Sequence, residues 1–85
     1  RDAEYRSAQA LAVELGARID RLTAREKQVM ERVVSGRHNR EIAAELGISA
    51  RTVEVYKARL MEKLGARRIP DLVRLVISAR PKKPR

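Results

Sequence analysis

Three residues, Gly47-Ile48-Ser49, separate two stretches of helical periodicity, and that spacing constrains the fold more than any other feature of the chain. Glycine, lacking a Cβ, accepts the positive φ that stops a helix, and serine two positions later is a good N-cap for the next one. A connection this short forces the two helices to cross steeply, as in a helix-turn-helix. Ala43, Gly47 and Val53 stand where such a unit wants a small residue at the helix contact, a turn glycine and a buried branched residue. A larger side chain at 43 would push the helices apart.

The same punctuation recurs along the chain. Thr23-Ala24-Arg25-Glu26 has the form of a capping box, in which Thr23 accepts from a first-turn amide while Glu26 reaches back to the Thr23 amide. It predicts a helix from Ala24 with Val29, Met30, Val33 and Val34 inward, ended by Ser35-Gly36. Asn39 is expected to cap a short helix over 40–46 that turns Ile42, Ala43 and Leu46 inward. Ser49 then starts a helix over 50–64 that ends before Gly65, and Pro70 with Asp71 opens a last one through Ala79. Upstream, Ala8, Leu11, Leu15, Ile19 and Leu22 form a helical stripe over 3–21, with Gly16 as the candidate break. That stripe serves either as a short heptad seam or as a face packed on its own domain. No segment alternates apolar and polar residues, so the expected fold is all-α. It comprises a linker helix in residues 1–21, a four-helix helix-turn-helix domain in 22–79 and a basic, unfolded tail in 80–85.

Charge narrows the partners. Twenty Lys and Arg oppose 11 Asp and Glu, a formal charge of +9 on 85 residues, and such a surface seeks polyanions. The excess is uneven: residues 1–22 carry four basic and four acidic side chains, whereas 23–69 carry eleven and six, and 70–85 five and one. The linker is therefore neutral and the rest grips. With two Tyr and neither Trp nor Phe, stacking platforms for single strands are unsupported, which favours duplex partners. Cysteine is absent and His38 is the lone histidine, so thiolate chemistry and a His-anchored metal site are excluded and no cofactor is expected. No serine has a base nearby in sequence, and Glu41 and Glu45, four apart, read as charges balancing Arg37 and Arg40, so no enzyme is expected. The longest apolar run is far too short to span a membrane, so the chain is expected to be soluble, and the absence of cysteine suits a reducing compartment.

Turning roughly 100° per residue along 50–64 places Val53, Tyr56, Leu60 and Leu64 on one stripe. Arg51, Val55, Ala58 and Glu62 fall opposite, flanked by Glu54 and Arg59. Small apolar groups among Arg and Glu suit a helix in the major groove, where Arg pairs with guanine, Glu accepts from cytosine and Val or Ala meets a thymine methyl.

From Leu22 to Ile77 the chain resembles the effector domain of the LuxR/FixJ/NarL type of bacterial transcription regulators, and most resembles the FixJ-type response regulators. The residues that carry this are Leu22-Thr23-Ala24-Arg25-Glu26, Val29, Gly36, Asn39-Arg40-Glu41-Ile42-Ala43, Leu46-Gly47-Ile48-Ser49, Arg51-Thr52-Val53-Glu54-Val55-Tyr56, Met61, Lys63-Leu64 and Asp71-Leu72-Val73. The resemblance implies that the third of the four domain helices, here 50–64, is the recognition helix and that the last often mediates dimerisation on DNA. It departs from the pattern at Glu54 and Ala58, where many members are basic, and at Tyr56, where many have His.

The expected base-reading residues are Arg51, Glu54, Val55, Ala58 and Arg59, with Arg51 and Arg59 also able to reach phosphate. Thr52 beside the helix N-terminus, and Arg40, Lys63 and Arg68 at helix ends, are expected on phosphate, as is Lys57 unless its stem only lies along the domain. Val73 and Ile77, four apart on the last helix, either meet a second copy in a homodimer or complete the core. The expected function is sequence-specific binding of promoter DNA as the output of a regulator whose sensor or receiver lies upstream, with RNA polymerase as a further contact. The rivals are a sigma-factor region, which usually lacks the helix over 70–79, and a basic helical module that docks an acidic protein.

Overall fold

The computed structural model describes residues 2–79, with side chains described at residue 10 and from residue 12 onward. Helix α1 spans Asp2–Asp20, α2 Ala24–Val34, α3 Asn39–Leu46, α4 Ala50–Leu64 and α5 Ile69–Ala79. No strand occurs among the described residues, and α1 runs through Gly16 without a break. The tail 80–85 and the side chains of Ala8 and Leu11 lie outside what is described.

Local chemistry sets the helix ends. At α2 the Thr23 hydroxyl accepts from the Glu26 amide at 3.1 Å and a Glu26 carboxylate oxygen accepts from the Thr23 amide at 2.8 Å, closing the capping box. Ser49 Oγ accepts from the Thr52 amide at 3.0 Å and so starts α4. Gly47 ends α3 at φ 69°, a left-handed conformation that a Cβ would strain, and leaves the two helices free to cross. At α3 the expected cap is displaced by one residue. His38 is the N-cap, its amide donating to Glu41 Oε1 at 2.9 Å, and Asn39 is already helical. The reason is visible in the fold: Asn39 Oδ1 is taken by Lys57 Nζ at 3.1 Å and is not folded back onto its own helix.

The core lies where α2, α3, α4 and α5 meet. Val29, Ile42, Val53, Leu60 and Leu72 are each 0 % exposed, and Leu64 and Val76 are 1 % exposed. Each such side chain contributes about 1.5–3 kcal/mol by leaving water. Ala43, also buried, lets α3 approach α4 closely. Helix α1 packs along α5, with Leu15 buried and Ile19 half-buried, so this described part of the stripe packs on its own domain. Of the last helix, Leu72 and Val76 face inward with Leu75 and Ala79 half-covered; Val73 is half-buried and Ile77 is 60 % exposed. The expected apolar pair on α5 is thus unequal.

Candidate nucleic-acid interface

Helix α4 is held by its apolar stripe, and this decides what it shows to solvent. Val53, Leu60 and Leu64 are buried and Tyr56 is half-buried, so the opposite side must face outward. Arg51, Glu54, Val55, Ala58, Arg59 and Glu62 are all exposed there, Val55 to 43 %. The five residues expected to read bases therefore share one accessible surface. None of Arg51, Glu54 or Arg59 has a side-chain partner among the described residues, so their donors and acceptors are available.

The N-terminal end of this face is built by hydroxyls. Thr52 is half-buried and its Oγ1 lies 2.9 Å from Ser49 Oγ, so the two share one hydrogen bond at the first turn. Unpaired amides and the positive end of the helix dipole at such a turn favour an anion. A separate open cleft of about 440 Å³ lies around the start of α3, lined by Arg37, His38, Asn39 and Arg40 together with Lys57 and Ile69. Arg40 is exposed at its rim, and Arg68, exposed in the short link between α4 and α5, lies outside that lining.

Two lysines expected on phosphate have partners inside the domain. Lys57 donates to Asn39 on α3, and Lys63 Nζ donates at 2.7 Å to Oε1 of Glu26 on α2. Glu26 is 2 % exposed, and the Lys63 ammonium holds its carboxyl below the ordinary value, outweighing the burial that pushes it up, with the Thr23 amide assisting. Neither partner was legible from local spacing, because the residues lie 18 and 37 positions apart. Glu45 pairs with Arg32 at 2.8 Å and with Arg37, whereas Glu41 is spent on its helix start, so Arg40 is left without the acidic neighbour its sequence position suggested. Arg25 donates to the Leu46 carbonyl at 3.4 Å and ties α2 to the end of α3. Among the described residues no group of three or more His, Asp or Glu could hold a metal, and no helix is long and apolar enough to cross a membrane.

Residues 20–76 match the family model described as bacterial regulatory proteins, luxR family. The chain is 47 % identical over 79 residues to the transcriptional regulatory protein FixJ of Azorhizobium caulinodans, covering 93 % of this chain and 37 % of that protein. It is 49 % identical over 65 residues to the transcriptional regulatory protein UhpA of Escherichia coli, covering 75 % and 33 %. Full-length FixJ from B. japonicum superposes with a TM-score of 0.82 at 43 % identity, over 88 % of this chain and 37 % of that one. The response regulator StyR does so with a TM-score of 0.80 at 40 % identity, over 88 % and 38 %. The chain spans about a third of the length of the curated relatives it matches.

Proposed function

The chain belongs to the luxR family of bacterial regulatory proteins and is a helix-turn-helix DNA-binding output domain of the response-regulator kind, and from that premise we propose that it reads a specific duplex sequence with α4 in the major groove. The observation that carries this reading is the outer face of α4, where exposed Val55 and Ala58 sit between Arg51, Glu54 and Arg59, which have no side-chain partner among the described residues. Such a mixture matches base edges, which present methyls, acceptors and donors side by side.

In this reading Glu54 and Val55 choose bases, with Ala58 allowing close approach and Arg51 and Arg59 pairing with guanine or the flanking phosphates. Thr52, Arg40 and Arg68 grip the backbone, positioning the helix without carrying sequence information. Ile77, exposed on α5, with Val73 at its edge, supplies the contact to a second copy. A two-fold dimer sets two recognition helices about one turn of DNA apart. The domain acts in the bacterial cytoplasm as the output of a longer regulator, as its relatives' length suggests, with RNA polymerase as a further contact and a binding role in place of catalysis.

Selection from a random duplex library tests this reading. Enrichment of a sequence with two related half-sites supports it, and a pool that stays random after repeated rounds contradicts it.

A further inference from the structure

Of the four cations on α4, Arg51 and Arg59 face outward without partners among the described residues, but Lys57 turns inward and donates to Oδ1 of Asn39, the first residue of α3, at 3.1 Å. We propose that Lys57 is a positioning residue: its hydrogen bond to Asn39 fixes how α4 is rotated and set against α3, and so aims the reading face, while Lys57 itself makes no phosphate contact. The inference rests on the DNA-binding reading above.

Lys57 lies one turn beyond buried Val53, only about 40° from it around the helix, whereas Arg51 and Val55 lie about 160° away. A side chain rooted there flanks the core and not the groove. The contact of α3 with α4 is otherwise apolar, made by Ile42, Ala43 and Val53, and apolar contact is non-directional. A hydrogen bond from a charged donor adds the direction that such packing lacks, and it spans the two helices at the end away from the Gly47 turn. Finally, an ammonium can only donate, so Lys57 fixes which way the Asn39 amide points, with Oδ1 inward. That engagement is also why Asn39 does not cap its own helix.

The test compares wild-type protein with Lys57→Met, Lys57→Arg, Asn39→Ala and the Lys57→Met/Asn39→Ala double variant. Each is titrated across a salt series with a duplex selected from a random library by the wild type and with a random duplex of equal length. Helicity is checked by circular dichroism. For a positioning residue, Lys57→Met and Asn39→Ala each lower the ratio of selected to random affinity by roughly tenfold. The double variant is then no worse than either single one, and Lys57→Arg restores much of the ratio. The slope of log affinity against log salt stays at the wild-type value. If Lys57 instead grips phosphate, Lys57→Met lowers both affinities equally and reduces the slope by about 0.9. Asn39→Ala then leaves the ratio unchanged, because it removes no charge, and this variant decides the matter even where Lys57→Met fails to fold. Wild-type protein that prefers no duplex would overturn the DNA-binding reading itself, a result distinct from either pattern.

Discussion

Lys63 Nζ lies 2.7 Å from Oε1 of Glu26, joining the last turn of α4 to the capped first turn of α2 through a carboxylate that is 2 % exposed. The two ends of this bond are unequal, since the lysine side chain remains 43 % exposed. Lys63→Met leaves a buried charge supported only by Thr23, and costs about 2–3 kcal/mol. Glu26→Gln keeps an acceptor for Thr23 and releases a lysine that water can solvate, and costs about 1 kcal/mol. Urea unfolding of both variants checks the order; equal costs would mean that the carboxylate is not the vulnerable partner.

The same pair sets an acid limit. The folded Glu26 carboxyl is held below its ordinary value, so its stabilisation is complete above the unfolded carboxyl range near pH ~4.3 and is lost as pH falls through the lower folded value. Wild-type protein should therefore lose more stability than Glu26→Gln between about pH 5 and about pH 3. Parallel stability curves for the two proteins would contradict this.

Two glycines should respond in opposite directions to alanine. Gly47 has φ 69° with nothing within 4 Å of a built Cβ, so Gly47→Ala costs about 1–2 kcal/mol through the backbone alone. Gly16 sits inside α1, also with nothing within 4 Å, and Gly16→Ala stabilises by about 0.5–1 kcal/mol. Thermal midpoints moving in the same direction would contradict the assignment of these two roles.

Reading and gripping should separate in binding assays. Replacing Glu54 or Val55 shifts base preference at one position by about 1–3 kcal/mol, whereas Arg40→Ala weakens all duplexes and lowers the salt slope by about 1. Uniform loss in both cases would erase the distinction.

Ile77→Asp tests the second copy. Because Ile77 is 60 % exposed, the charge should leave the fold intact, lower affinity for a duplex with two half-sites and spare a single half-site. Equal loss on both duplexes would place Ile77 outside any dimer contact.

The helix limits were legible because they depend on neighbours in sequence: Thr23 with Glu26, Ser49 with Thr52, and the glycine at 47. The outer face of α4 was legible for the same reason, since Val53, Leu60 and Leu64 fix the helix rotation. The cap of α3 falls one residue before the expected Asn39, and the partners of Lys57 and Lys63 are not legible in local spacing, because they belong to other helices. Such contacts depend on crossing angles that periodicity does not encode. For Val73 the sequence leaves a dimer contact and the core both open, and the packing of α5 makes it half-buried.

In the proposed reading, Arg51, Glu54, Val55, Ala58 and Arg59 on the outer face of α4 select sequence, while the basic surface around them only grips. Competition of a selected duplex against random duplex, at moderate salt and across a full titration, tests it most directly. A preference on the order of 10³ is expected for a dimer and a smaller one for the isolated domain; equal affinity for the two duplexes throughout would contradict selection by this face.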